Sequence, residues 1–295
     1  MKVRARMIVL FLLPATVLYL VFFIFPTIWA FYFSFFKWSG FGEAKNFIGL
    51  GNYLELMHDS MFWMSFRNTM KILFIGGFIT FLVAFILTIL INIGIRGKKF
   101  FRAMIFMPNV IATIALTTLW AFIYNPKFGL INSLFRFLGF ETMEKFLFTS
   151  ADHVFYAMLV ALIWIQVGFM VVLFMAGMDK IPFEFYEAAK IEGATPLQMF
   201  FHITVPLMWD VITVGVVLWS IFALKVFEFP YAFHGIDPPP QIYTIGIYLY
   251  VMGFGKRNPI YRLGYATAIG VLLLLAVIIV IVLLRKIMQR DLYQY

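Results

Sequence analysis

The sequence predicts an all-α, polytopic membrane protein with six transmembrane helices and both termini cytoplasmic. Three observations carry that reading. Of the 295 residues 63% are hydrophobic and 13% charged, against roughly 45–50% and about 25% in a soluble domain. Six apolar runs reach the length, about 20 residues, that crosses some 30 Å of hydrocarbon. Basic residues gather beside these runs at alternate ends, as membrane orientation requires.

Taken in order, the runs cover residues 7–33, 70–93, 104–124, 154–178, 207–232 and 264–284. Lys2, Arg4 and Arg6 precede the first. It is longer than a signal h-region of about 7–15 residues and no small-residue cleavage site follows, so it reads as a retained span. The connection from Lys37 to Arg67 is charge-balanced, with Lys45 against Glu43, Glu55 and Asp59. The next, from Ile95 to Arg102, holds Arg96, Lys98, Lys99 and Arg102 and no acid. The stretch from Pro126 to Asp152 is again balanced, and the tail carries Arg285, Lys286, Arg290 and Asp291. The N-terminus, the basic loop and the tail fall on one side, which places the termini inside. Trp38, Tyr53, Trp63, Tyr124, Tyr231 and Tyr250 fall at the outer ends, where ring anchoring at the interface is expected over ligand stacking. No internal repeat stands out, and a single membrane domain, 1–295, is expected.

The cytoplasmic loop 179–206 is long for a helical bundle and needs a reason. Pro182 suits a first helical position and Glu184 a first turn. The stretch from Phe183 to Glu192 holds no helix breaker and meets Gly193, a left-handed stop. Thr195-Pro196-Leu197-Gln198 spells a capping box that opens a second helix. Ala188 and Ala189 allow a close approach by another surface, Glu187 beside them offers one charge, and Phe185 and Tyr186 offer apolar area. The helix is a knob for a protein cleft. An amphipathic helix lying on lipid would be cation-rich, whereas Glu184, Glu187 and Glu192 here outnumber Lys190.

The run Glu187-Ala188-Ala189, then Gly193, then Ile203-Thr204-Val205-Pro206 resembles the cytoplasmic motif of ABC importer permeases, spacing included. Val205 stands where leucine is usual, and Glu192 where the carbohydrate branch has aspartate. Gly49-Leu50-Gly51-Asn52-Tyr53, Asn68-Thr69, Phe101-Arg102-Ala103 with Pro108, and Trp164, Gly168, Ala176-Gly177 and Ile181-Pro182 are similar to further segments of the maltose- and glycerol-3-phosphate-type permeases. The glycine-rich outer motif of that family is weak here, as His234-Gly235-Ile236-Asp237-Pro238-Pro239-Pro240.

The resemblance implies a permease subunit of an ATP-driven importer, forming the path for a sugar delivered by an extracytoplasmic solute-binding protein. It implies a second permease subunit and two copies of an ATPase subunit, with ATP and magnesium on the latter. The loop becomes the coupling helix, docking through Phe185, Tyr186, Glu187, Ala188, Ala189 and Gly193. The chain has no Gly-x-x-x-x-Gly-Lys-Ser/Thr phosphate loop, so no ATP cofactor is expected on it.

Polar residues inside spans are candidates by default. Gln166 is offered for sugar hydroxyls, with interhelical hydrogen bonding as the alternative, and Trp164 and Trp219 as stacking faces. Lys225 is offered for the substrate path, with an ion pair to Glu228 as the alternative. Lys71 is expected to snorkel, and Asn109 to satisfy backbone groups freed by Pro108. Cysteine is absent, and His58, His153, His202 and His234 have no metal-ligand spacing, so metal and catalytic sites are not expected. A secondary transporter is the competing function. It would need a coupling-ion site, typically acids or broken helices near mid-span, and mid-span acids are lacking.

Overall fold

The computed structural model describes residues 2–42, 46–92, 96–140, 147–235 and 237–288. Ile93, the expected end of the second span, and Glu43, Lys45, Ile95, Ile236, Arg290 and Asp291 lie outside them. Among the described residues the regular structure is helical, apart from the two-residue antiparallel pair Phe36–Lys37 and Asn46–Phe47.

Among the described residues four helices are long and apolar enough to cross a membrane: Val9–Phe33, Ser60–Asn92, Val154–Met178 and Leu263–Met288. The fourth expected span, 154–178, coincides with the observed helix. The second helix starts ten residues before its expected boundary of Met70. Asp59 causes this: its Oδ1 accepts the Met61 N–H at 2.9 Å and the Phe62 N–H at 3.3 Å, capping a turn too polar to read as a span.

The third and fifth expected spans are broken. Lys98–Val110 and Thr113–Ile123 meet at 102°, because Pro108 sits in a 3₁₀ turn and Ile111 and Ala112 are extended. Pro196–Leu207 and Trp209–Lys225 meet at 72°. The fifth stops at Lys225 rather than near Ala232, because Val226 leaves helical geometry, with ψ 121°, and Glu228–Phe233 is a separate helix. Counting each bent pair as one crossing gives up to six. The expected outer loop after His234 contains a further apolar helix, Ile245–Phe254, too short for the 20-residue criterion.

Among the described residues, helices widen to π geometry at Leu20–Ile24, Ile72–Gly76 and Phe200–Thr204. The first and last each end two residues before a proline, Pro26 and Pro206. A proline ring collides with the carbonyl four residues back and supplies no donor. The Phe25 N–H therefore donates to Leu20 O, and the Val205 N–H to Phe200 O, one residue farther back than in an α-helix.

The chain divides into two compact units, Met1–Trp63 with Ile245–Leu275, and Met64–Thr244 with Ala276–Tyr295. In the first, Asn52 Nδ2 donates to Ser34 O at 2.8 Å and Phe36 O at 3.0 Å, fixing the turn after the first helix. Gly264 is required there: a β-carbon would collide with Phe36 O, and its N–H donates to Trp38 O. Asp59 Oδ2 accepts the hydroxyls of buried Tyr248 and Tyr265, the latter at 2.5 Å. Arg262 donates to Glu55 at 2.6 Å and lies 4.3 Å from the Tyr265 ring.

In the second unit Val154–Met178 is the central helix, with fifteen buried residues. Phe174 stacks on Phe85 at 4.2 Å and meets Phe81 edge-on at 5.5 Å. Gly168 brings this helix against Ile105 O, where any β-carbon would collide. Asn109 Nδ2 donates across to Ile165 O at 2.6 Å, so it serves the neighbouring helix rather than the carbonyl freed by Pro108. The Lys71 ammonium sits 5.3 and 5.5 Å from the rings of Phe155 and Tyr156, an aromatic seat.

Candidate functional site

Two places in the second unit concentrate the polar and exposed side chains that packing leaves over. The first is the loop 179–206. Its helix is Phe183–Ile191, with Pro182 before it. Gly193 has φ +81° and ends it: the Ala194 N–H donates to Ala189 O and the Gly193 N–H to Lys190 O, the paired bonds of a left-handed stop. Thr195 and Gln198 then form the expected reciprocal capping box.

Of the residues singled out in the sequence, Phe185, Glu187, Ala188 and Gly193 are exposed, while Tyr186 and Ala189 are half-buried against the chain. The Tyr186 hydroxyl is 2.9 Å from the hydroxyl of buried Thr204, in the π-turn before Pro206. Sequence reasoning missed Ile191, 88% exposed, and Leu197, 67% exposed. With Phe183 they make the loop apolar as well as acidic, and their only signal was apolar residues outside any buried periodicity. The loop leaves the fourth span beside Lys98, whose ammonium meets Asp179 at 3.3 Å and Asn92 Oδ1 at 2.5 Å.

The second place is a cavity of about 560 Å³ lined by both sides of the third-span break, by Leu162 and Ile165 of the central helix, and by the end of the fifth span. Asn109, Thr113, Lys225 and Glu228 supply its polar groups, and Phe222, Phe227 and Phe229 its aromatic ones. Lys225 and Glu228 are both exposed and form no ion pair with each other. Helix geometry explains this: Val226 turns the chain out of the helix between them, which cancels the three-residue spacing.

The other pathway candidates lie elsewhere. Trp164 is 41% exposed and meets Trp120 edge-on at 5.6 Å. Gln166 is half-buried and has no hydrogen-bond partner among the described residues, so the alternative of an interhelical bond is not seen among them. Trp219 does not line the cavity. It is 3% exposed, and its Nε1–H donates to Leu73 O at 2.8 Å. The π-turn accounts for that bond, since the Gly77 N–H donates to Ile72 O and thereby leaves Leu73 O without its α-helical donor. Among the described residues no three His, Asp or Glu side chains converge as metal ligands.

Comparison with known proteins decides what kind of protein this geometry belongs to. Residues 76–293 match the family model described as the binding-protein-dependent transport system inner membrane component. The chain belongs to that family. This inner membrane component is 33% identical to a probable ABC transporter permease protein of Pyrococcus horikoshii, over 92% of this chain and 91% of that one. It is 31% identical to the trehalose/maltose transport system permease protein of Thermococcus litoralis, over 80% and 79% of the two chains. Its fold matches a chain of a bacterial ABC transporter for import of the acidic polysaccharide alginate, with a TM-score of 0.84 at 22% identity, over 98% and 97% of the chains. It is accordingly a multi-pass transport permease of the inner membrane. The family match runs through both the loop 179–206 and the cavity-lining helices.

Proposed function

We propose that this chain is the membrane-spanning subunit of an ATP-driven sugar importer, with the loop helix Phe183–Ile191 as its coupling helix. The observation that carries the proposal is that helix: rigidly capped at Gly193, exposed along its outer face, and set in a chain of the binding-protein-dependent permease family. Burying apolar area stabilises by about 25 cal/mol per Å², so Phe183, Phe185, Ile191 and Leu197 are costly to leave in water. Ala188 and Ala189 let a partner reach the helix backbone between them.

The complete importer in this reading has a second permease, two ATPase subunits holding ATP and magnesium, and an external solute-binding protein that delivers the sugar. Residues 1–295 then act as one transmembrane domain with cytoplasmic termini, each bent pair counting as one crossing. The cavity at Lys225 and Glu228 is the path's candidate for sugar contact, because it offers a donor, an acceptor and aromatic faces together. Gln166 and Trp164, which do not line the cavity, are secondary candidates for the path. The relatives named for trehalose/maltose, multiple sugars and sn-glycerol-3-phosphate support a carbohydrate or polyol substrate.

The test is retention of the ATPase subunit during affinity purification of the co-expressed complex. Ala188→Leu should lose it, because bulk on an approach surface holds the partner away. Gly193→Val should weaken it, since a β-branched residue at positive φ costs on the order of 1–2 kcal/mol, with open space around it leaving no other cause. Gly193→Asn should be nearly silent. Full retention and uptake in Ala188→Leu would refute docking through this helix.

A further inference from the structure

We propose that Tyr186 acts inward as a positioning residue: its hydroxyl ties the loop helix to Thr204, so that displacement of the helix is delivered to the broken fifth span. The inference rests on the docking reading above and assigns a different task to one residue of that helix.

The geometry separates Tyr186 from its neighbours. Phe185, Glu187 and Ala188 are exposed, whereas Tyr186 turns back onto its own chain and reaches Thr204 Oγ1 at 2.9 Å. Thr204 is 3% exposed. A buried hydroxyl needs a partner, and among the described residues the Tyr186 hydroxyl is the one its side chain has. The two residues are eighteen apart in sequence, so the bond closes the loop on itself rather than decorating one helix.

What Thr204 belongs to gives the bond its consequence. It ends the π-turn Phe200–Thr204, the step forced by Pro206. Its carbonyl accepts the Met208 N–H at 3.0 Å, and Met208 is the residue at which Pro196–Leu207 and Trp209–Lys225 diverge by 72°. The same π-turn carries Phe200, which meets Phe85 edge-on at 5.7 Å, and Phe85 stacks on Phe174 of the central helix. A bend of this kind, with a π-turn and a proline beside it, is where a helix changes direction at lowest cost. The loop helix therefore has a direct polar attachment to the pivot of the fifth span. Between Gly193 and Thr195 the covalent route to that pivot runs through a left-handed glycine, which transmits direction poorly.

The cysteine-free chain permits a test that needs no knowledge of the sugar. Spin labels on Glu192→Cys and Asp210→Cys, both exposed, report the distance from the loop helix to the start of the fifth span. The distance is measured in the purified complex with its ATPase subunits, nucleotide-free and with Mg-ATP and vanadate. With Tyr186 and Thr204 present the pair should keep one narrow distance in both states. Tyr186→Phe and Thr204→Val should each lose it, raising the detached population about two- to tenfold, the factor that one net hydrogen bond carries. Thr204→Ser, which keeps the hydroxyl, should restore it, and the double variant should be no worse than either single one. ATPase subunits should stay bound throughout. An unchanged narrow distance in Tyr186→Phe overturns the proposal. Loss of ATPase subunits in Tyr186→Phe also overturns it, by making Tyr186 a docking residue. Failure of docking itself is read separately, from subunit retention in Ala188→Leu.

Discussion

Changing Gly77 to alanine should destabilise this permease more than the same change one residue earlier, at Gly76. The perturbation is a single methyl group. At Gly77 it would lie 2.5 Å from Trp219 Nε1 and 3.0 Å from Cδ1, so the indole must move. At Gly76 the nearest atoms are Leu159 Cδ1 at 3.1 Å and Trp219 Cζ2 at 3.2 Å, where shifts of a few tenths of an ångström suffice. Moving the indole at Gly77 breaks its bond to Leu73 O, which the π-turn leaves without its α-helical donor. Overpacking costs about 1–3 kcal/mol and stranding a buried carbonyl about 1–3 kcal/mol. Alanine recovers up to about 1 kcal/mol over glycine in a helix. The net loss for Gly77→Ala is then about 1–6 kcal/mol, and that for Gly76→Ala is near zero. Trp219→Phe, which removes only the donor and part of the ring, should fall between them. The assay is thermal unfolding of the detergent-purified protein, followed by loss of the monodisperse peak on size exclusion. Equal midpoints for the two glycine variants, or an unchanged midpoint for Trp219→Phe, would refute the account of the π-turn.

Three further outcomes follow from other parts of the molecule. Single cysteines at Lys99 and Ser150 should label from opposite sides of the membrane, Ser150→Cys with an impermeant reagent outside and Lys99→Cys only after permeabilisation; outside labelling of Lys99→Cys would invert the topology. Lys225→Gln or Glu228→Gln should raise the KM for uptake about two- to tenfold, the value of one hydrogen bond, with assembly intact, measured over a panel of radiolabelled sugars; unchanged kinetics in both would remove the cavity from the path. Burial pushes the Asp59 carboxyl up, but the hydroxyls of Tyr248 and Tyr265 and the amides of Phe62 and Met61 outweigh it and hold the pKa below its ordinary 3.8. Its stabilisation is therefore present above that value and lost as the pH falls through the lower folded one. Asp59→Asn should lower the unfolding temperature at pH 7, and the gap from wild type should narrow as the pH falls below 3.8; a gap that does not narrow there would contradict the assignment.

The sequence alone determined the class of the molecule and the chemistry of the loop 179–206. Composition and run length are summed over many residues, so they survive local irregularity, and 154–178 was legible to the residue because nothing in it breaks a helix. Gly193 and the Thr195–Gln198 box were legible for the opposite reason: caps are decided by three or four neighbouring residues whose partners lie within the same turn. The spacing of Glu187-Ala188-Ala189, Gly193 and Pro206 pointed to the importer permeases, and the family match agrees.

Tertiary structure decided what depends on a partner far along the chain. Proline was visible at positions 108 and 206, but bends of 102° and 72° follow from how the chain packs on either side. Lys225 and Glu228 looked paired at helical spacing until the helix ended between them. Trp219 looked like a stacking face because a tryptophan in an apolar run has no visible acceptor. Its acceptor is a carbonyl 146 residues away, freed by a π-turn that no local pattern announces. Tyr186 is the same case within the loop itself. Its side chain could have faced a partner or its own chain, and only the fold brought Thr204 within reach, because a hydrogen bond across eighteen residues is fixed by where two helices meet and not by what either one spells.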